Sequence, residues 1–226
     1  MAEQQKQEQA KVVEEVGLTG GAAPQREHLT LDSARRVMLR PVRPDEDVDE
    51  LFAAGHPPGV NLWELTPRGP FKDTTEFREY LTSLMGEETV GLTIINKATG
   101  EKVGIITYLS IAPAHRRIEI GGLWCTPKYQ RTYVNTEACY LAIKHAFEHL
   151  GYRRVEWKCD TKNDKSKAAA ARLGFTFEGV FRKHMINKGI NRDTAYFSIT
   201  DDEWPAVKAK LETRIFSDVY PSSSSA

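Results

Sequence analysis

Three features are scarce in this sequence: cysteine, long apolar runs and an excess of either charge. The 226 residues include three cysteines, Cys125, Cys139 and Cys159, and no CxxC pair. This number and spacing argue against a disulfide framework and against a zinc site, so we expect no bound metal. They also favour a reducing compartment, which predicts a cytoplasmic protein.

The apolar runs and the charge balance exclude two further classes of partner. No apolar run approaches the roughly 20 residues that a membrane-spanning helix needs. The N-terminal stretch is polar and lacks the apolar core of a secretory signal, so we predict no membrane partner. Lys+Arg and Asp+Glu are both 31, and the formal net charge is zero. A protein that holds nucleic acid usually carries a broad basic field, so we expect no nucleic-acid partner.

Apolar residues, by contrast, are present in sufficient number for one domain. They make up 40% of the chain, which is enough for a substantial core at this length. Both ends are polar, and such segments bury too little apolar surface to offset the entropy of ordering. We predict a flexible arm over residues 1–33, a domain over 34–214 and a flexible tail over 215–226.

Within the domain, the periodicity of apolar residues predicts an α/β fold. Several strands come first, and a strand–helix–strand–helix–strand unit follows, which predicts a mixed sheet with helices on both faces. Strands 118–124 and 154–159 would form a parallel pair beside a helix. The predicted strands are 37–42, 89–96, 102–111, 117–124, 154–159, 175–181 and 194–200. The predicted helices are 45–54, 74–85, 136–150, 165–173 and one that begins near 200–203.

The segment from Ile118 to Ala138 carries the clearest indication of a ligand. It reads as a strand, a short loop and a helix, and the unpaired N–H groups of a helix start form an anion site. A strand that leads into such a loop can also offer main-chain groups to an extended amide ligand. Coenzyme A makes both demands, with a pyrophosphate and a pantetheine arm. Farther along, Asn163 is placed as a helix N-cap, with Ser166 in the first turn.

Three motifs follow one another along the chain: Gln130 followed by Thr136-Glu137-Ala138, then Asn163-x-x-Ser166, then Leu173-Gly174-Phe175-x-x-Glu178-Gly179. In this order they resemble the GNAT acetyltransferases, and most of all their ribosomal-protein alanine acetyltransferase (RimJ/RimL-like) branch. The resemblance covers roughly residues 34–212. It implies the GNAT fold, a mixed and mostly antiparallel seven-stranded sheet with a splayed parallel pair, and acetyl-CoA as co-substrate.

The resemblance also implies roles for individual residues. Main-chain groups at 124–126 would bind the pantetheine arm, and the loop 130–135 would surround the pyrophosphate. Ser166 would act as general acid for the departing CoA thiolate. The residues expected at the cofactor are Trp124, Cys125, Thr126, Gln130, Arg131, Thr132, Tyr133, Val134, Asn135, Thr136 and Asn163.

One departure from the family pattern bears on this site. The family usually has small residues in the pyrophosphate loop, where this chain has Tyr133 and Asn135. Glycine at such positions lets the backbone approach phosphate closely. The two larger side chains must avoid that face or reshape it, and Arg131 and Thr132 could compensate by direct contact. This departure motivates an alternative function, a non-catalytic acyl-CoA-binding or interaction module.

The leading hypothesis is transfer of an acetyl group from acetyl-CoA to a primary amine by direct attack in a ternary complex. The oxyanion would be stabilised by a main-chain N–H near Cys125. Glu119 lies on the strand beside the proposed cleft and could accept the amine proton, directly or through water. The alternative for Glu119 is a salt-bridged strand residue on the solvent face. Cys125 itself is expected to be a buried apolar thiol rather than a covalent nucleophile.

The acceptor side is less specified by the sequence. Trp63 and Glu64, in the loop between the first two helices, could hold a cationic amine, or Trp63 could close the edge of the core. His184 could line the acceptor pocket. The His145 and His149 pair has the spacing of a metal site but no further ligand pattern, so an ordinary helix face is expected. The acceptor would be a small-molecule amine or a peptide N-terminus, and the protein a monomer or homodimer.

Overall fold

The computed structural model describes residues 29–32 and 34–217. Seven strands form one sheet in the order β1-β2-β3-β4-β5-β7-β6. Neighbouring strands are antiparallel, except β4 and β5, which are parallel. The strands are β1 Val37–Pro41, β2 Val90–Asn96, β3 Lys102–Ala112, β4 Arg117–Cys125, β5 Arg154–Asp160, β6 Thr176–Asn187 and β7 Ile190–Thr200. The predicted mixed, mostly antiparallel seven-stranded sheet is therefore confirmed.

Helices cover both faces of the sheet, because two separate apolar clusters form on it. The helices are α1 Pro44–Gly55, α2 Thr74–Ser83, α3 Tyr133–Glu148, α4 Asp164–Leu173 and α5 Trp204–Phe216. α1 and α2 contribute to an aromatic-rich cluster with Trp63 and Trp124. α3, α4 and α5 contribute to the larger cluster on the other side. Within the described residues, none of the helices has the length and apolar character needed to cross a membrane.

α3 differs from the predicted helix at 136–150, since it begins three residues earlier and ends at Glu148. Thr132 is its N-cap, and the Thr132 Oγ1 accepts the Val134 N–H at 3.3 Å. Tyr133 and Val134 are both buried. Because these two side chains belong to the core, the helix takes up half of the segment expected to be a loop.

The hairpin of β6 and β7 is longer than predicted. The predicted strands, 175–181 and 194–200, stop short of the hairpin turn, whereas β6 and β7 continue to Asn187 and Ile190. The outer part of β6 is almost entirely exposed, so its sequence lacks the alternation that marks a half-buried strand. The extension adds Arg192 and its neighbours to the sheet.

At both ends, the described residues continue slightly beyond the predicted domain. Of the predicted arm, residues 29–32 are described: Leu29 is buried, and Leu31 exchanges two main-chain hydrogen bonds of 2.9 Å with Leu39. α5 reaches Phe216, two residues past the predicted boundary. Residues 1–28, Ser33 and 218–226, which include the rest of the predicted arm and tail, lie outside the described residues.

The parallel pair is splayed, as the resemblance implied. β4 and β5 pair only where residues 117–119 face residues 154–156, and then separate. Gly122 has φ +55°, and a Cβ at this position would lie 3.0 Å from the Thr107 Oγ1. Glycine therefore permits the irregular backbone here. The separation opens a space between the two strand ends.

Candidate active site

A cleft of about 260 Å³ lies between the diverging ends of β4 and β5. Its walls come from residues 121–124 of β4 and 157–160 of β5. The loop after α1, the end of α2, Thr89, two residues of β3, the start of α4 and one residue of β7 complete it. Residues from these elements that the following paragraphs use are Trp63, Arg68, Tyr80, Thr107, Asn163, Ser166 and Arg192.

Glu119 is buried at the base of the separation. Its carboxylate lies 2.9 Å from the Lys158 Nζ and accepts a hydrogen bond of 3.1 Å from the Ser110 Oγ. A Cβ at Gly121, which lines the cleft, would lie 3.3 Å from the Glu119 Oε1. The carboxylate therefore lies beside the cleft wall. It forms an ion pair, as the alternative for Glu119 expected, but the pair is buried and not on the solvent face.

Lys158 joins Glu119 to a second carboxylate. Its Nζ also lies 3.2 Å from Glu156 and 5.1 Å from the centre of the Tyr196 ring. Burial alone would lower the pKa of Lys158, but the two carboxylates outweigh it and hold the pKa above its ordinary value. The lysine charge is thus compensated within the protein.

Asn163 and Ser166 both line the cleft at the start of α4. As predicted, Asn163 is the N-cap, and its Oδ1 accepts the Ser166 N–H at 3.0 Å. The Ser166 Oγ accepts the indole N–H of Trp157 at 3.0 Å. Because the hydroxyl oxygen accepts this bond, its own proton can be directed elsewhere.

Tyr133 and Asn135 fall in the first turn of α3. The Tyr133 side chain is buried, accepts a 3.3 Å hydrogen bond from the Asn96 side chain and lies 4.1 Å from the Arg36 guanidinium. The Tyr133 ring is therefore packed toward β2 rather than into the helix start. Asn135 is half-buried, and its Oδ1 lies 3.9 Å from the Cys139 Sγ.

The other loop residues are engaged to different degrees. Arg131 is exposed and has φ +61°. The Thr132 hydroxyl caps α3 and also donates to the Tyr129 carbonyl at 2.7 Å, so it is used locally. Thr136 is buried in the first turn of α3. The Gln130 side chain donates to the Cys125 carbonyl at 3.3 Å.

The Thr126 main chain is hydrogen-bonded within the protein. The Thr126 N–H donates to the Val103 carbonyl, and the Thr126 carbonyl accepts the Tyr129 N–H, both at 2.9 Å. Trp124 lines the cleft with its side chain buried. Burial raises the pKa of the Cys125 thiol to about 11, so the thiolate is scarce at neutral pH.

The three residues expected on the acceptor side do not come together. Trp63 lines the cleft, but its ring is packed among aromatic side chains and its Nε1 donates to the Gly55 carbonyl at 2.8 Å. Glu64 is exposed and is not part of the cleft wall. His184 is exposed on β6, with its Nδ1 2.9 Å from the Thr194 Oγ1.

Several cleft residues escaped the reasoning from sequence. Burial raises the pKa of Tyr80 to about 12, so its phenol stays protonated. The Thr107 Oγ1 and the Arg192 Nε are buried without a hydrogen-bond partner. All three residues line the cleft. A longer β7 in the prediction would have singled out Arg192 as a charged residue on a buried strand.

The paired histidines of α3 stack on each other with ring centres 5.3 Å apart. Burial lowers the pKa of His145 to about 4, and the neighbouring His149 acts in the same direction. In residues 29–32 and 34–217, no group of three or more His, Cys, Asp or Glu side chains is arranged to hold a metal ion.

A mixed sheet whose parallel pair separates next to the start of a helix is the architecture that the resemblance to acyl-group transferases implied. The chain matches the family model for the acetyltransferase (GNAT) domain over residues 36–176. Because this match covers more than half of the chain, the protein belongs to the GNAT acetyltransferase family.

Individual relatives agree with this assignment. A GCN5-related N-acetyltransferase from Brucella melitensis is 35% identical, with a TM-score of 0.85 over 92% of this chain and 93% of that one. Mycobacterium smegmatis RimJ, solved with CoA-disulfide, shares the fold at 23% identity, with a TM-score of 0.72 over 82% of this chain and 94% of RimJ.

Among proteins known by sequence, YdaF from Bacillus subtilis, provisionally named a ribosomal N-acetyltransferase, is 32% identical over 109 residues. This alignment covers 48% of the present chain and 59% of YdaF, so the chain spans less than two thirds of that relative. The predicted membership of the GNAT acetyltransferase family is confirmed.

Proposed function

We propose that this protein transfers an acetyl group from acetyl-CoA to a primary amine. The observation that carries the proposal is the cleft between the separated ends of β4 and β5, with Glu119 beside one wall and Ser166 in the other. Acetyl-CoA would supply the activated acyl group as a thioester. Family membership supports the transferase class, and the residues around the cleft support the finer assignment.

Two observations support binding of the cofactor in this cleft. The wall at 121–124 is a strand segment without a β5 partner, which leaves main-chain groups for the pantetheine amides. The start of α3 is free of the Tyr133 ring, because that ring is packed toward β2. A pyrophosphate can therefore approach the N–H groups of the first turn. RimJ provides a related fold solved with a CoA derivative.

The residues around the cleft can supply the general base, the oxyanion donor and the general acid of a direct transfer. Glu119, or a water that it holds, takes a proton as the amine nitrogen bonds to the thioester carbonyl carbon. A main-chain N–H near Cys125 stabilises the oxyanion. Ser166 gives a proton to the sulfur as the carbon–sulfur bond breaks, so the products are an amide and a free thiol. The high pKa of Cys125 disfavours a covalent acyl-enzyme.

Two classes of acceptor are possible for this transfer, a peptide N-terminus and a small-molecule amine. The name of YdaF points to a ribosomal protein, and hence to a peptide N-terminus, as acceptor. The balanced charge of the chain gives no electrostatic support for docking on a ribosome, and we favour a small-molecule amine. We further propose that the protein is cytoplasmic and that it is a monomer or homodimer. Light scattering on the purified protein would measure the oligomeric state.

The test is release of the CoA thiol from acetyl-CoA in the presence of a panel of amines. We expect Ser166→Ala and Glu119→Gln each to lower kcat by about 100-fold. Ser83→Ala is the matched control, because Ser83 also lines the cleft but its hydroxyl donates to the Tyr80 carbonyl at 2.7 Å. Equal rates for Ser166→Ala and Ser83→Ala would remove Ser166 from the mechanism.

The non-catalytic alternative makes a different prediction in the same assay. An acyl-CoA-binding module would bind acetyl-CoA tightly and release no thiol with any amine. The packing of Tyr133 away from the helix start weakens the reason for that alternative, since the larger side chain leaves the phosphate site accessible.

A further inference from the structure

We propose that Arg192 binds a carboxylate of the acceptor, so that the substrate is a compact amine that also carries a carboxylate. The inference rests on the proposed function and makes its acceptor more specific. It arises from a charged side chain that lines the cleft and that no part of the described protein compensates.

Arg192 is only 8% exposed, and its Nε is buried without a hydrogen-bond partner. Throughout residues 29–32 and 34–217, no carboxylate oxygen lies within the 4.0 Å that defines an ion pair with this guanidinium. Buried charges are normally paired, because desolvation is costly. An uncompensated buried arginine on a cleft wall therefore indicates an anionic ligand.

The nearby charges leave Arg192 available. Asp160 lines the same cleft, but its Oδ1 accepts the Lys162 N–H at 2.9 Å and it lies outside ion-pair range of Arg192. Lys158 is already paired with Glu119 and Glu156. The exposed Arg68 adds a further positive charge to the wall. A polyamine would meet repulsion in this cleft, whereas an anion would be attracted.

The strand register places Arg192 on the same face of the sheet as Lys158. Tyr196 pairs with Lys158, and Thr194 pairs with Asp160, so Arg192 lies farther out along the same strand. Four residues of a strand span about 13 Å, and alternate side chains share one face. Lys158, which holds Glu119, and Arg192 therefore share one face of the sheet, and both line the cleft. A short molecule with its amine toward Glu119 would place a carboxylate near Arg192.

The guanidinium group suits a carboxylate by its chemistry. Its planar donors form two parallel hydrogen bonds with the two oxygens of a carboxylate. Lysine offers a point charge without this geometry. The conservative variant Arg192→Lys therefore separates charge from hydrogen-bond geometry.

The experiment compares matched acceptors with acetyl-CoA held at saturation. Each amino acid is paired with its carboxamide, which keeps the amine and removes the negative charge, and an amine phosphate forms a third arm. We expect the wild type to prefer the carboxylates, and Arg192→Gln to lower kcat/KM for them by about 100-fold with little effect on the carboxamides. Arg192→Lys should recover part of the preference. Arg172→Gln, which removes an exposed arginine, is the charge control.

Four results would overturn the inference. They are equal rates for acids and amides in the wild type, preference for the phosphate alone, a rise in the KM for acetyl-CoA with every acceptor in Arg192→Gln, and better turnover of polyamines. Failure of the proposed function appears differently, as no transfer to any amine. In that event, calorimetry measures the binding of the same acids to the CoA-loaded wild type and to CoA-loaded Arg192→Gln. Loss of acid binding in the variant supports the inference. Equal binding to both proteins, or binding to neither, overturns it. Thermal melting checks that each variant is folded.

Discussion

Glu178, one residue of the sequence motif that resembles the family, shows how a single side chain holds the outer strands together. Its two carboxylate oxygens accept hydrogen bonds of 2.6 Å from Arg154, and one of them also accepts a 2.6 Å bond from the Ser198 hydroxyl. The Arg154 guanidinium lowers the pKa of Glu178 from 4.5 to about 2, with Ser198 acting in the same direction against a smaller effect of burial. These bonds link β5, β6 and β7.

This lowered pKa predicts a pH-dependent contribution to stability. A carboxyl group with a lower pKa in the folded state stabilises the protein above its unfolded pKa, and the contribution is lost as the pH falls through the folded value. Because Glu178 is 39% exposed, we expect Glu178→Gln to reduce the free energy of unfolding by only about 1 kcal/mol at neutral pH.

Urea denaturation of Glu178→Gln and the wild type at a series of pH values measures this effect. The difference between the two proteins should shrink as the pH falls from 4.5 toward 2. A difference that stays constant over that range would mean that the ion pair with Arg154 does not stabilise the fold.

At the residue scale, local signals were readable from sequence and long-range ones were not. Asn163 was predicted as an N-cap because capping depends on neighbours three residues away, and the structure bears this out. The ion pair of Glu119 with Lys158 joins two strands, so only the folded sheet reveals it. The uncompensated charge of Arg192 likewise depends on which strands are neighbours, so the sequence alone does not reveal it.

At the scale of elements, α3 is fixed to β1 by one buried carboxylate. The Glu137 side chain accepts the main-chain N–H groups of Arg36 and Val37 at 2.6 and 3.1 Å, and the Arg36 Nε at 2.9 Å. The carboxylate is fully buried, so removal of its oxygens would leave these donors without an acceptor.

We expect Glu137→Ala to lower the free energy of unfolding by about 3 kcal/mol, because it leaves buried donors unsatisfied. Glu46→Ala is the control, since Glu46 forms an exposed ion pair with Arg43 and should contribute about 0.5 kcal/mol. Chemical denaturation measures both variants. Losses of equal size would show that the Glu137 carboxylate is not a principal link between α3 and β1.

Periodicity predicted most elements to within a few residues, and its errors have physical causes. In the part of the chain that the structure describes, each of the seven strands and five α-helices was predicted from sequence. The start of α3 was missed because Tyr133 and Val134, assigned to a loop, are core residues. The outer half of the β6–β7 hairpin was missed because exposed strands lack a two-residue alternation.

At the scale of the whole molecule, the balance of charges conceals a local asymmetry. The formal net charge is zero, and this balance predicts no nucleic-acid partner. Yet the cleft wall contains Arg68 and Arg192, with Asp160 as its acidic residue. Composition cannot show this, because only the fold determines which charges share a cavity. The acceptor must therefore be sought by its chemistry at the cleft.

The architecture places this cleft where the sheet changes from antiparallel to parallel pairing. β4 and β5 separate after three residue pairs. The chain then forms α3 after β4 and α4 after β5, and the start of α4 lines the opening through Asn163 and Ser166. Binding of acetyl-CoA between these strands is the central claim, since the roles of Glu119, Ser166 and Arg192 all depend on it.

A crystal structure of the protein with CoA tests this claim most directly. We predict density for the pantetheine arm between residues 121–124 and 157–160, with the pyrophosphate at the first turn of α3. CoA bound at another surface, or crystals that exclude it from this cleft at saturating concentration, would contradict the account.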